Sequence, residues 1–293
     1  MTPRCLSTPP TRVIASAAPT ANSNGSPVPN GNEMSLSAAA FKPQVRDALA
    51  AYLIAVADDE LIIGHRHSEW TGFAPDIESD VALSSIAQEE IGHARLFYER
   101  ACDLIGGDPD HVAFGRASAE FRNAVLTERP NGDWGYSMVR LFLYDRADHV
   151  RLDALASGAL RPLADLASTV RREEKYHLMF GEQWLRRLAS ATEASRGRMQ
   201  QALDRAWPEA LGMFEPVPGQ EELGADVVPV ALAEQLFQWR QGVIAVLESV
   251  GLRLPAAKSV EGMGGRIGRH SDDLGTLLDE MTSVWRSDPQ AKW

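Results

Sequence analysis

Apolar residues recur every three or four positions over most of the chain after Pro43, which is the spacing of one face of an α-helix. Few segments show the strict alternation of a half-buried strand, so the pattern predicts an all-α fold. Helices are predicted at residues 44–66, 77–105, 134–156, 162–190, 194–214, 228–250 and 271–286. The first four would each measure about 33–45 Å at 1.5 Å per residue, a length typical of helical bundles.

The residues between these stripes support the predicted helix ends. Asp76 and Asp133 are candidate N-caps, and Gly106-Gly107 is suited to end a helix. Pro162 fits the first turn of the fourth long helix. The sequence therefore predicts a four-helix bundle followed by additional C-terminal helices.

The beginning of the chain has a different composition, rich in Pro, Ser, Thr, Ala, Asn and Gly. Such a segment buries too little apolar surface to offset its chain entropy. We therefore predict a disordered tail over residues 1–40 and a single helical domain over residues 41–293. Met34 lies close to the start of the periodic sequence and is a candidate translation start.

Charge and cysteine content narrow the choice of partners and compartment. The 293 residues carry a net charge of -11, which argues against nucleic acid and anionic membranes as main partners. No apolar run reaches the roughly 18 residues needed to span a bilayer. Cys5 and Cys102 lie in the predicted tail and in a helix, so no disulfide framework is expected. These features predict a cytoplasmic protein.

Each of the four long helices carries an acidic residue on its apolar stripe. These residues are Glu60, Glu90, Asp145 and Glu174, and each follows apolar residues by four and by seven positions. Four carboxylates directed into an apolar core would be very costly unless a positive charge neutralised them.

Two of these acids are followed three positions later by a histidine, in Glu90-Ile91-Gly92-His93 and Glu174-Lys175-Tyr176-His177. Residues three apart share one face of a helix, so carboxylate and imidazole can reach the same metal ion. Two such pairs and two lone acids form the di-iron or di-manganese carboxylate arrangement of ferritin-like bundles. We therefore predict a ferritin-like bundle with Glu60, Glu90, His93, Asp145, Glu174 and His177 as metal ligands. Two iron ions suit this oxygen-rich set better than zinc, and manganese also fits.

Some assignments stay open at this stage. A single Glu-x-x-His pair is more often a solvated helix face, so the prediction depends on the whole set. Asp148 is an alternative ligand to Asp145, and His149 is either a second partner of the site or a core histidine. Glu89 and Glu173 lie about 100° around the helix from the predicted ligands, and we read them as flanking residues. His65 and His67 are expected to be exposed at the end of the first helix.

Several short segments resemble one known family. They are Glu69-Trp70, Glu90 to Arg95, Arg129-Pro130-Asn131-Gly132, Tyr176-His177, and Gly264-Gly265 with the tail through His270 and Leu274 to Trp293. These segments are distributed along the chain and occur in the same order as in the PaaC family, the C subunits of phenylacetyl-CoA 1,2-epoxidase, which the sequence therefore resembles. The resemblance covers about residues 45–293.

The resemblance implies a ferritin-like subunit of a bacterial multicomponent monooxygenase, which epoxidises the ring of phenylacetyl-CoA in aerobic phenylacetate catabolism. The implied partners are the catalytic A subunit, the other epoxidase subunits, and a separate reductase that delivers electrons from NADPH. In that family the C subunit generally serves as a scaffold for the A subunit, often with eroded metal ligands. The complete ligand set of this sequence departs from that pattern.

Three hypotheses follow. The first is an oxygenase subunit with a di-iron site of its own. The second is a non-catalytic structural subunit that stabilises the catalytic A subunit. The third is an iron-handling or oxidase bundle outside phenylacetate metabolism. No local pattern in the sequence recognises a CoA ester or a phenyl ring, so the substrate rests on the resemblance alone.

Overall fold

The structure is a computed structural model that describes residues 36–256, 263–289 and 291. Within these residues the chain forms ten α-helices and no strand. They are α1 (Pro43–Ser68), α2 (Ile77–Ile105), α3 (Pro109–Phe114), α4 (Val125–Glu128), α5 (Trp134–Ala156), α6 (Arg161–Ala191), α7 (Glu193–Ala210), α8 (Leu232–Ser249), α9 (Asp272–Met281) and α10 (Ser283–Ser287).

The four long helices begin and end close to the predicted positions because their local end signals operate as expected. The Asp76 carboxylate accepts a bond from the Ser79 amide at 2.8 Å, and Asp133 caps Tyr136 in the same way. Gly106 ends α2 with a φ of 74°, a conformation that disfavours residues with a Cβ. The predicted helix at 271–286 is instead divided at Thr282 into α9 and α10.

The long helices pack as two pairs, α1 against α2 and α5 against α6. Helices α7 and α8 lie outside this bundle and pack mainly on α5. One core cluster is built largely from α1 and α2, and a second from α5, α7 and α8. The architecture is the predicted all-α, ferritin-like bundle with additional C-terminal helices.

Most of the predicted disordered tail, including Met34, lies outside the described residues. Its last residues are ordered. Leu36 is buried, its amide donates to Asp103 Oδ2 at 3.1 Å, and Ala38–Ala40 form a turn of 3₁₀ helix. Ordered structure is therefore present before residue 41.

The segment that precedes α9 connects the C-terminal part of the chain to the bundle. A Cβ on Gly265 would lie 2.2 Å from the Asn123 carbonyl oxygen, so only glycine permits this close approach. The neighbouring Arg266 forms an ion pair with buried Asp59 of α1 at 2.8 Å. His270 bonds buried Glu128 at 2.7 Å. The segment thereby connects α1, through Asp59, with α4, through Glu128.

Nothing in the described part of the chain is both long and apolar enough to form a membrane-spanning helix. Cys102 is a free, partly buried thiol, and Cys5 lies outside the described residues.

Candidate metal centre

The six predicted ligands all face the interior of the bundle. Each is at most 2% exposed, and together they come from all four long helices: Glu60 from α1, Glu90 and His93 from α2, Asp145 from α5, and Glu174 and His177 from α6. Their burial follows from the helical periodicity that places each acid on an apolar stripe.

Five of these side chains converge on one point. One donor atom from each of Glu60, Glu90, His93 and Glu174 lies within 4.8 Å of the others. The fifth, His177, places Nδ1 at 3.1 Å from Glu174 Oε1 and 3.4 Å from Glu90 Oε1. The Nδ1 atom of His93 also lies 3.1 Å from Glu174 Oε1. Glu174 therefore stands between the two imidazoles.

Asp145 lies at the margin of this cluster. It is not one of the four residues whose donor atoms lie within 4.8 Å of one another, but the charges of Glu174 and His177 act on its carboxylate. Both of its oxygens are buried without a hydrogen-bond partner among the described residues. Asp145 is thus placed to serve an ion on the His177 side.

Unpartnered polar atoms show that the cluster fits metal ions. Among the described residues, hydrogen-bond partners are lacking for both oxygens of Glu90, Asp145 and Glu174, for Glu60 Oε2, and for Nδ1 of His93 and His177. The two Nδ1 atoms lie 3.1 Å from Glu174 Oε1 but without hydrogen-bond geometry. Because buried polar atoms are normally satisfied, this arrangement would be destabilising without further partners. Two divalent cations would neutralise the four carboxylates. They would also provide binding partners for the carboxylate oxygens and the two imidazole nitrogens.

The outer nitrogens of both histidines are bound across the bundle. His93 of α2 donates from Nε2 to Glu173 of α6 at 2.8 Å, and His177 of α6 donates from Nε2 to Glu89 of α2 at 2.7 Å. Each bond leaves Nδ1 as the inward ring nitrogen, which is available to a metal ion. Reading Glu89 and Glu173 as flanking residues was therefore wrong. The signal in the sequence was the repeated Glu-Glu-x-x-His.

One oxygen of Asp148 is bound by a cation, and the other is buried without a hydrogen-bond partner among the described residues. Arg151 donates from Nε to Asp148 Oδ1 at 2.9 Å, and a second bond from Nη2 reaches the same oxygen. Arg151 also bonds Asp59 at 2.7 Å and Glu60 Oε1 at 3.3 Å. Asp145 and Asp148 both lie on the buried face of α5, but only Asp148 is paired with Arg151, one turn later on the same helix.

Two histidines lie elsewhere than the sequence suggested. His149 is turned away from the cluster, with its side chain 38% exposed and 3.4 Å from Asp153, so the structure does not place it in the site. One position beyond Asp148, it lies on a different face of α5. His67 was expected to be exposed but is 1% exposed, and both ring nitrogens lack partners within the described residues. Burial and nearby Arg140 lower its pKa well below the ordinary value.

Sequence reasoning also missed a tyrosine beside the cluster. Tyr144 is fully buried, and its hydroxyl has no hydrogen-bond partner in the part of the chain described. Burial raises its pKa well above the ordinary value, and the charges of Glu60 and Glu90 add to the effect. The group therefore remains a neutral phenol that can donate a hydrogen bond toward the acids.

Glycine in α1 brings two of the ligand helices together. A Cβ on Gly64 would lie 3.0 Å from both Glu90 Cβ and Ile91 Cγ1. Such contacts are tighter than ordinary packing, so a larger residue would push α1 from α2 one turn from Glu60.

Protons and metal ions compete for this cluster. Burial raises the pKa of Glu90 and of Asp145 well above the carboxylate range. Burial opposes the charge on His93, but Glu174 and Glu60 raise its pKa to about 11. The pKa of His177 is likewise raised, against its burial, chiefly by Glu174. Without metal, His93 therefore holds a proton at neutral pH, and the other three groups bind their protons more tightly than usual.

Comparison with known proteins agrees with this architecture. A profile of the family described as "Phenylacetic acid catabolic protein" matches residues 34–293. The chain is 33% identical to the C subunit of 1,2-phenylacetyl-CoA epoxidase from Escherichia coli K12 over 256 residues, which is 84% of this chain and 99% of that protein. It is 27% identical to the A subunit of the same enzyme and organism over 161 residues, covering 52% of each chain. The chain belongs to the phenylacetic acid catabolic protein family.

Proposed function

We propose that this chain is a subunit of a 1,2-phenylacetyl-CoA epoxidase and that its bundle holds two metal ions, with iron as the expected metal. The observation that carries the proposal is the set of buried donor atoms without partners, on four helices, in a chain whose relatives are subunits of that epoxidase. Manganese would fit the same oxygen-rich donors.

The residues divide naturally between two ions. Glu60 and His93 would serve one, and Asp145 and His177 the other, with Glu90 and Glu174 between them. Glu174 Oε1 lies 3.1 Å from both Nδ1 atoms, so Glu174 would help to hold the ions beside both histidines. When bound, an iron pair supplies the redox chemistry that activates O₂.

The chain's own contribution is orientation and the exclusion of water. Glu89 and Glu173 fix the two imidazole rings through their outer nitrogens. Ile86, Leu141 and Trp184 form part of a small apolar cluster adjoining the ligands, which keeps the centre dry. Tyr144 offers a buried phenolic proton at Oη beside Glu60 and Glu90.

The rest of the proposal follows from the relatives. An A subunit is the expected partner because both relatives are subunits of one enzyme. The other epoxidase subunits, phenylacetyl-CoA as substrate, NADPH-derived electrons from a separate reductase and a cytoplasmic location remain predictions.

The alternative is a non-catalytic subunit that stabilises a catalytic A subunit. The match spans 99% of the C subunit but only 52% of the A subunit. This favours the alternative only together with the scaffold role that the family resemblance implies for C subunits. The third hypothesis, an iron-handling or oxidase bundle, is supported by the donor set alone.

Metal analysis of protein purified from iron-fed cells tests the proposal. Wild-type protein should hold about two irons per chain, and the double variant Glu90→Ala/His177→Ala should lose them. Glu248→Gln, on an exposed position of α8, is the control and should retain the metal. Negligible iron in wild-type protein would contradict the metal centre.

Epoxidation by the reconstituted complex then separates the two main hypotheses. Loss of activity in the same double variant, with the complex still assembled, supports an oxygenase role for this centre. Full activity despite loss of iron would assign the chain a structural role. Copurification with a second ferritin-like subunit would exclude the iron-handling hypothesis.

A further inference from the structure

Arg151 places a fixed positive charge next to the ligand cluster. Helix α5 carries Asp145, Asp148 and Arg151 at intervals of three residues, so all three face the bundle interior. Arg151 is 8% exposed, and its guanidinium contacts three acids: Asp59, Glu60 and Asp148. The proposed division of ligands assigns it no role.

The first consequence concerns which acid of α5 is available to a metal. Two nitrogens of Arg151 donate to the same oxygen of Asp148. Asp145, one turn earlier, has both oxygens free of hydrogen bonds within the described chain. The other oxygen of Asp148, Oδ2, is buried and also lacks a hydrogen-bond partner among the described residues. Because a carboxylate already paired with a guanidinium attracts a further cation less strongly, Asp148 is the weaker candidate ligand and Asp145 the stronger one.

The second consequence concerns Glu60. Arg151 Nη2 lies 3.3 Å from Glu60 Oε1. The other oxygen, Oε2, is 3.7 Å from His93 Nδ1 and lacks a hydrogen-bond partner among the residues described. Glu60 therefore presents one oxygen to the cluster and the other to a cation of the protein itself.

The arginine is itself held in place from the opposite side. Asp59, which accepts from Arg151 at 2.7 Å, also accepts from both terminal nitrogens of Arg266 at 2.9 and 2.8 Å. Because Arg266 belongs to the C-terminal segment, Asp59 would remain paired if Arg151 were removed. Asp148 has no second cation of this kind among its described contacts.

We propose that Arg151 is a positioning residue of the metal centre, which makes Asp148 a weaker ligand than Asp145 and leaves Glu60 with one oxygen for a metal ion. The ion beside Glu60 and His93 is then bound more weakly than the ion beside Asp145 and His177, because a fixed positive charge repels it. This inference rests on the proposed two-metal function.

A pair of matched substitutions on α5 tests the choice of ligand. Cobalt(II) binding to metal-depleted protein is followed by equilibrium dialysis with metal analysis, and folding by circular dichroism. Asp148→Asn should still bind two ions per chain, whereas Asp145→Asn should bind one. Loss of an ion in Asp148→Asn, or two ions retained in Asp145→Asn, would overturn the assignment.

A charge-balanced double variant tests the asymmetry. Arg151→Gln alone would leave Asp148 buried without its cation, so Arg151→Gln/Asp148→Asn is compared with Asp148→Asn. Wild-type protein and Asp148→Asn should bind the two cobalt ions with clearly different dissociation constants. In the double variant the dissociation constant of the more weakly bound ion should fall by about tenfold or more, so that the two constants become similar. An unchanged ratio would overturn the inference.

Failure of the two-metal function and failure of the role of Arg151 give different results. Wild-type protein that binds no cobalt would contradict the two-metal function itself. Wild-type protein that binds two ions with equal affinity would leave that function intact and overturn only the role of Arg151.

Discussion

At the scale of single residues, we expect the proposed centre to couple metal binding to proton release. His93, His177, Glu90 and Asp145 all have a raised pKa, with that of His93 at about 11. His93 is therefore protonated at pH 7 without metal, and each of the four groups must be unprotonated to act as a ligand. Loading with two divalent ions should therefore release protons, at least the one held by His93, measured with an indicator dye in weak buffer.

The sign of the pH dependence follows from the same protons. Since the raised pKa values strengthen proton binding by these groups, lowering the pH favours protons over metal ions. Metal affinity should therefore fall as the pH falls from about 9 to about 6. Manganese(II) affinity across this range, measured by electron paramagnetic resonance of the free ion, checks the direction. Affinity independent of pH, with no proton release, would contradict the ligand assignment.

The crosswise carboxylates support a second prediction at this scale. Glu89 and Glu173 are 43% and 53% exposed, so replacing either with glutamine should leave the fold intact. Removal of such an outer partner typically weakens metal binding by about 10–100-fold. Glutamine keeps an oxygen that can accept the bond but loses the negative charge, so we expect a loss near the lower end of this range for Glu89→Gln and Glu173→Gln in cobalt titrations. Glu78→Gln, exposed in the first turn of α2, is the control, and an equal effect there would contradict the specific role.

At the scale of elements, the contact between α1 and α2 is set by Gly64. Gly64→Ala should lower the free energy of unfolding by roughly 1–3 kcal/mol and weaken metal binding, because the added methyl group meets Glu90 Cβ and Ile91 Cγ1 at 3.0 Å. Gly92→Ala is the matched control, since a Cβ there meets nothing within 4 Å. It should stabilise α2 by about 0.5–1 kcal/mol. Denaturant unfolding of both variants checks this, and equal effects would contradict the packing argument.

The helices themselves could be predicted from the sequence because their signals are local. Apolar periodicity and the caps at Asp76 and Asp133 lie within a few residues of the structure they specify. The inward direction of Glu60 and Glu174 follows from the same periodicity. The partners of Glu89 and Glu173 lie on another helix, 88 and 80 residues away along the chain, and spacing on one helix does not reveal them.

The sequence also could not show which of Asp145 and Asp148 is paired with a cation, for a related reason. Both residues lie on the buried face of α5, and periodicity treats them alike. The difference arises from where the flexible side chain of Arg151 ends, which depends on Asp59 and Glu60 of α1. The burial of His67 could not be predicted for the same reason. Its place at the end of α1 follows from the sequence, but its burial depends on the helices packed around it.

At the scale of the whole molecule, the C-terminal segment and the metal centre are joined through consecutive acids of α1. Asp59 binds Arg266 and Arg151, while the next residue, Glu60, faces the cluster. The segment that resembles the family in the sequence, Gly264-Gly265 onward, therefore packs close to the centre and helps to hold it. This explains physically why the resemblance extends beyond the four long helices. The substrate is not encoded in any of these contacts and follows from the relatives alone.

The central claim is that side chains from four helices converge around two metal ions in the bundle interior. Anomalous diffraction from crystals of the iron-loaded protein, recorded on both sides of the iron absorption edge, tests it most directly. We expect two iron peaks per chain, both bounded by Glu60, Glu90, His93, Asp145, Glu174 and His177. The absence of iron from this interior, with iron found only at surface sites, would contradict the claim.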